Sequence, residues 1–147
     1  MTLDPAAVGG ADRHTEAAPL GITAELRLKK GADRRLRAGH LWIFSNEVDT
    51  ARTPLSGISP GAAAVVVDAR GQALGVATVN PASLICGRIY SRDSTRILTA
   101  EFIAARLRVA LELRERLYSR RCYRLVYGDG DGLPGLVVDR FGDYLAV

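Results

Sequence analysis

The chain has 147 residues, 48% of them hydrophobic, which suits one globular domain or two small ones with packed cores. Its longest apolar run, Ala62 to Val67, is far too short for a transmembrane helix. The N-terminus carries Asp4, Asp12 and Glu16 and no apolar core, which excludes a signal peptide, and the net charge of +4 with a pI near 9.4 leaves a polyanionic partner open.

Residues 1–21 are rich in Ala, Gly and Pro without any period, and read as a disordered tail. Ile22 to Lys29 then alternates. Ile22, Ala24, Leu26 and Leu28 share one side, with Glu25, Arg27 and Lys29 on the other, as in a half-buried strand. Gly31 breaks it. Ala32 to Ala38 is long enough for about two helical turns, with Gly39 placed to end them. Leu36, Leu41, Trp42, Ile43 and Phe44 offer a core anchor. Residues 49–59 read as a loop through Pro54 and Gly57.

Residues 61–81 read as a strand, a turn at Asp68 to Gly71 and a second strand. Leu84 to Tyr90 is a further strand. Several short strands with one short helix predict a small barrel-like unit over residues 22–92. Thr99 to Ser119 changes period. Ile103, Leu107, Ala110, Leu111, Leu117 and Tyr118 recur at helical spacing, behind Thr99 as N-cap and Glu101 in the first turn. Arg120 and Arg121 end this helix on the favourable side of its dipole. Cys122 to Tyr127, Leu136 to Asp139 and Tyr144 to Val147 are strand-like. "DRFGDY" is a hairpin turn with Gly142 in a left-handed conformation. The last run stops at Val147 with no polar tail, which reads as a truncation.

Cys86 and Cys122 make neither a disulfide framework nor a zinc spacing. Both lie in apolar runs and are expected to be buried thiols. A reducing, cytoplasmic setting is the simplest assumption.

Two stretches invite a functional reading. The first is GDGLPG, Gly130 to Gly135, which fits a dinucleotide-binding fingerprint. That fingerprint must open into a helix, with an acid about 20 residues on. Here it opens into Leu136-Val137-Val138-Asp139, and Pro134 lacks an N–H. A calcium loop starting at Asp129 fails as well, with Leu133, Pro134 and Arg140 at positions that need other residues. Asp129 and Asp131 could pair as catalytic carboxylates, but no His or Lys is near. The sequence predicts a tight strand-to-strand connection, its glycines taking positive φ and its Asp side chains bonding local backbone. No catalytic, cofactor or metal residue is assigned.

The second stretch is basic. Residues 22–60 hold seven basic and four acidic residues, for +3, while residues 122–147 sum to −2. Lys29, Lys30, Arg34, Arg35, Arg37 and His40 are the candidate RNA-binding residues, with Arg27 at the edge of the same cluster. Trp42 and Phe44 are expected in the core rather than as stacking platforms. A solvated basic face is the competing reading.

"LKKGADRRLRAGHLWIFSNEV" resembles the opening of the PUA domain in the RlmI-type SAM-dependent large-subunit rRNA cytosine-5 methyltransferases. "GQALGVATVNPASLICGRIYSR" is similar to the rest of that domain. "FIAARLRVALELRERL" and "YRLVYGDGDGLPGLVVDRFGDYLAV" resemble the central strand–strand–helix–strand–strand module that follows it. The final block is the most specific, and it departs from the family mainly at Asp129, where Glu is more usual. The resemblance covers residues 23–147. It implies an α+β chain: a PUA-type small β-barrel over 22–92, then a partial central module over 93–147. It implies rRNA as partner and SAM as cofactor of the whole family protein, bound in a further methyltransferase domain that this chain lacks. On that reading the chain binds RNA and does not catalyse. The alternative is a stand-alone RNA-binding or ribosome-associated adaptor.

Overall fold

The computed structural model describes residues 21–147. Gly21 apart, the expected disordered tail lies outside the described residues. The first sheet has five strands: β1 (Ile22–Arg27), β2 (Trp42–Phe44), β3 (Ala63–Val67), β4 (Ala73–Val79) and β5 (Ile85–Ser91). Their order is β1-β3-β4-β5-β2. β1 runs parallel to β3, and the other pairings are antiparallel. A short helix, α1 (Asp33–Arg37), connects β1 to β2.

The alternation of β1 survives as burial. Leu26 and Leu28 are fully buried with Leu36, Ile43, Val48, Val66 and Ile89 in one apolar core. Each such side chain contributes about 1.5–3 kcal/mol by leaving water. The opposite face of the sheet is also covered. Ala63, Val76 and Tyr90 meet Leu98 and Phe102 there. This is why β3 is apolar at every position: it is sandwiched, and small or β-branched residues suit both sides.

The α+β class is as expected, but the sheet does not close into a barrel. β2 has three residues and passes into a 3-10 turn at Ser45–Glu47, so little of it remains to pair with β1. The two edges meet at a single bridge, Leu28 with Val48. It is held by Lys29 N–H donating to Glu47 C=O and Asp49 N–H donating to Arg27 C=O, both at 2.9 Å.

α2 (Ala100–Leu117) begins where the sequence places it, with Thr99 Oγ1 accepting from Phe102 N–H at 3.2 Å. It ends before Arg120 and Arg121, so Arg114 and Arg116 occupy its last turn. Ile103, Leu107 and Leu111 pack on a second sheet, β6 (Cys122–Tyr127), β7 (Val137–Phe141) and β8 (Tyr144–Ala146), in that order and antiparallel. Phe102 faces the first sheet, edge-on to Tyr90 at 5.8 Å. α2 therefore contacts both sheets. Leu117 and Tyr118, expected on its buried face, are exposed. Cys86 is buried, while Cys122 is exposed, contrary to expectation. The alternation of β6 explains the second: Tyr123 and Leu125 point inward, so Cys122 and Arg124 point out. No helix among the described residues is long and apolar enough to cross a membrane.

Candidate nucleic-acid interface

α1 buries one side chain in the core. Leu36 is buried, and the surrounding cations are thereby turned outward. Gly39, with φ +105°, then lets the chain leave the helix sharply, and its N–H donates to Leu36 C=O at 3.0 Å. The six candidate residues lie on or beside α1 in the chain, and they are not equivalent. Lys29 Nζ donates to Asn46 C=O at 2.9 Å. Arg35 donates to Trp42 C=O at 3.1 Å, pairs with Glu47 at 3.5 Å and lies 4.8 Å from the Phe44 ring centre. Arg37 is pinned by Asp33 at 2.6 Å, Asp68 at 2.9 Å and Gln72 at 3.0 Å. His40 is exposed, and its carbonyl accepts from Arg92 at 2.8 Å. Lys30 and Arg34 are exposed and have no side-chain partner among the described residues.

Arg37 is therefore a structural clasp. Asp68 sits at the β3–β4 turn, where its Oδ1 accepts from Gln72 and Arg70 N–H at 2.9 and 2.8 Å. These bonds and the Arg37 guanidinium hold its carboxyl below the usual carboxylate range. Hydrogen bonding to Asp33, with Asp68 adding to it, pushes Arg37 further up. The clasp closes one end of an open groove of about 670 Å³. Lys30 and Arg70 line that groove, and Arg70 is a third exposed cation without a side-chain partner among the described residues. Sequence reading passed over Arg70, because it lies far along the chain in a turn.

A second feature was also missed. Trp42 is 43% exposed rather than buried in the core. It pairs in register with Arg88 on β5, so the two side chains stand together. Arg88 lies 5.5 Å from the centre of the Trp42 ring. Both reach Asp129, in the 3-10 turn Gly128–Asp131 that follows β6. Trp42 Nε1–H donates to Asp129 Oδ2 at 2.9 Å, and Arg88 donates to the same oxygen at 2.8 Å. Asp129 Oδ1 is buried without a partner among the described residues. The readable signal was the alternation Trp42-Ile43-Phe44: a buried Ile43 turns Trp42 away from that core.

The GDGLPG stretch runs strand to strand. Gly132 and Gly135 have positive φ, as does Gly128 just before them. Asp131 takes Tyr127 N–H at 2.6 Å and both arms of the Arg114 guanidinium, at 2.8 and 2.7 Å. Asp131 bonds the local backbone as expected, whereas Asp129 does not and instead ties the turn to Trp42 and Arg88; a strand, β7, follows the turn where a phosphate site would need a helix. These residues do not fit SAM or a dinucleotide. Among the described residues no cluster of three or more His, Cys, Asp or Glu could hold a metal.

Beside this turn is an open groove of about 520 Å³. Trp42, Arg88, Arg124 and Tyr127 line it, and Gly130 and Gly135 form part of its rim. Arg124 lies 5.6 Å from the Tyr127 ring centre and is fixed by Asp139 at 2.9 and 3.1 Å.

The PUA-like domain family matches residues 26–92. The ribosomal RNA large subunit methyltransferase I of Erwinia tasmaniensis is 38% identical over 130 residues, covering 86% of this chain and 32% of the relative. That of Escherichia coli strain SMS-3-5 is 35% identical over 129 residues, with the same coverage. Among solved structures, a putative SAM-dependent methyltransferase from Streptococcus mutans superposes with a TM-score of 0.68 at 17% identity, covering 84% of this chain and 32% of that one. A putative methyltransferase crystallised with SAH gives 0.69, also at 17%, with 84% and 31% covered. The chain thus spans about a third of the length of the relatives it matches. Residues 26–92 match the PUA-like domain family, and the chain is similar over most of its length to the ribosomal RNA large subunit methyltransferases I.

Proposed function

We propose that this chain is the RNA-recognising portion of a SAM-dependent large-subunit rRNA cytosine-5 methyltransferase. Residues 22–92 make the primary contact with rRNA, and residues 93–147 form a second module docked on them. The observation that carries this reading is the match to the PUA-like domain family, with Lys30, Arg34 and Arg70 exposed on that part of the chain and without a side-chain partner among the described residues. Cations held by nearby acids release little free energy on meeting phosphate, whereas unpaired ones neutralise it directly. Within the six-residue candidate set, Lys30 and Arg34 therefore lead. Lys29 and His40 flank them, while Arg35 and Arg37 shape the surface more than they touch RNA.

Methyl transfer and SAM are assigned on this reading to the parts of the longer relatives outside the matched stretch. The glycine turn supports that division, because both of its acids are used internally and it leads into a strand. An rRNA partner implies a cytoplasmic protein.

The test is the salt dependence of binding to large-subunit rRNA fragments. Each phosphate contact removed lowers the slope of log K against log salt by about 1. Lys30, Arg34 and Arg70 changed together to Ala should flatten that slope by about 3 if all three contact phosphate. A slope identical to that of the unmodified chain would remove this surface from the interface.

A further inference from the structure

We infer that the groove between the two sheets, walled by Trp42, Arg88, Tyr127 and Arg124, is a second RNA contact that takes an unpaired nucleobase by stacking. The inference rests on the RNA-binding reading above and adds a site with a different physical basis. Tyr127 is 63% exposed and Trp42 43% exposed, both large values for aromatic rings beside a folded turn. Each ring has an arginine over it, at 5.6 and 5.5 Å. Each of those arginines is fixed in turn by a carboxylate, Asp139 or Asp129. The groove therefore presents rings and guanidinium planes already ordered, so little side-chain entropy remains to be lost on binding.

The chemistry of these walls selects the occupant. Pinned, acid-paired arginines are poor at neutralising phosphate but still offer flat cationic surfaces. Aromatic faces and guanidinium planes are what unstacked bases pack on. A base in a duplex has no free face to offer, so the ligand is single-stranded. The glycines keep the entrance clear. A Cβ at Gly130 would come within 3.7 Å of Tyr127 Cδ1, and the space beside Gly135 is empty to 4 Å. The groove is tied to α1 by one contact, Arg35 donating to the Trp42 carbonyl.

Trp42 is the single tryptophan of the chain, so its fluorescence reports on this site alone. The experiment titrates the whole chain with a short unstructured RNA oligomer. Binding is followed by anisotropy of the labelled RNA, and the groove by Trp42 emission. The expected result is quenching of Trp42 at the same concentrations as binding. Tyr127→Ala should weaken binding about fivefold or more without altering the salt slope, and Tyr127→Phe should bind like the unmodified chain. Binding that leaves Trp42 emission unmoved and is indifferent to Tyr127→Ala would overturn the inference. It would leave RNA recognition standing and remove the groove from it. Absence of any RNA binding would overturn both.

Discussion

Trp42 and Asp129 are 87 residues apart in the chain, yet the indole N–H donates to the carboxylate at 2.9 Å. With Arg88 on the same oxygen, this contact ties the first sheet to the turn that follows β6. Asp129→Ala should leave both donors without an acceptor. The expected loss is about 1 kcal/mol, most of it from the part-buried Arg88 donor, because water can take over the exposed indole N–H. A lower urea midpoint together with a red shift of Trp42 emission in the native state is the expected pair of observations. An unchanged emission maximum would mean that Trp42 does not depend on Asp129 for its position.

Arg114 and Asp131 are the best-buried ion pair of the second unit, with side chains 13% and 8% exposed. Asp131 also holds Tyr127 N–H. Arg114→Ala abandons a carboxylate in a site that water barely reaches, and should cost about 3 kcal/mol. Arg114→Lys keeps the charge and loses the two-pronged geometry, so it should fall between the two. Equilibrium unfolding of the three proteins checks the order.

Much of this architecture is legible in the residues. Ile22 to Lys29 alternates and Ile22–Arg27 is a strand, Thr99 caps the long helix, and Gly142, with φ +65°, turns the last hairpin. What resists reading is any property set by a distant partner. Arg37 looks like a free cation beside Arg34 and Arg35, and only the fold brings Asp68 to it from 31 residues away. Trp42 and Cys122 were misjudged for a different reason. Each sits in a short apolar run, where composition suggests burial while alternation with Ile43 or Tyr123 indicates exposure. Alternation was the better guide at both positions, since a strand has two faces and only one lies on its core. Why β1 joins the sheet parallel to β3 has no local signature at all.

Gly75 occupies a backbone conformation with φ +145°, and an added Cβ would meet Ser91 C=O at 2.3 Å. The contact is with the neighbouring strand β5, which cannot retreat without breaking its pairing with β4. Gly75→Ala should therefore cost about 3 kcal/mol through combined strain and overpacking. Gly135→Ala is the control. Its φ is +84° but nothing lies within 4 Å, so only the backbone penalty of about 1 kcal/mol applies. Thermal midpoints of the two variants should separate accordingly.

Asp68 makes stability depend on pH. Its folded pKa lies below the ordinary carboxylate value, first through the Gln72 N–H bond, with Arg70 N–H and Arg37 adding to it. A depressed pKa means that the stabilisation is fully present above the unfolded value, about 4, and disappears as the pH falls through the folded one. Asp68→Asn should be less stable than the unmodified chain at pH 7. The gap in urea midpoint should then narrow towards pH 3. Asp93, Glu101 and Asp139 are depressed as well, but they are common to both proteins and cancel in the comparison. A gap that stays constant with pH would separate Asp68 from the acid lability of the fold.

The two cysteines should behave as opposites. Cys86 is wholly buried beside β2, with its Sγ 3.6 Å from Ile43 C=O, and burial pushes its thiol up to about 11. At pH 8 only about a thousandth of it would be thiolate even if a reagent could reach it. Cys122 begins β6 on the exposed side. A thiol-directed reagent at pH 8 should therefore modify the native chain once, at Cys122, and Cys122→Ser should abolish that modification. Cys86 should react only through opening of the first sheet, so its rate should rise with urea in step with unfolding. Mass spectrometry of the labelled protein reads both events. If Cys86 were labelled as fast as Cys122 without denaturant, the β2–β5 layer would have to open on the timescale of the reagent, although Ile43 packs so closely on Gly87 that an added Cβ there would lie 3.0 Å from it.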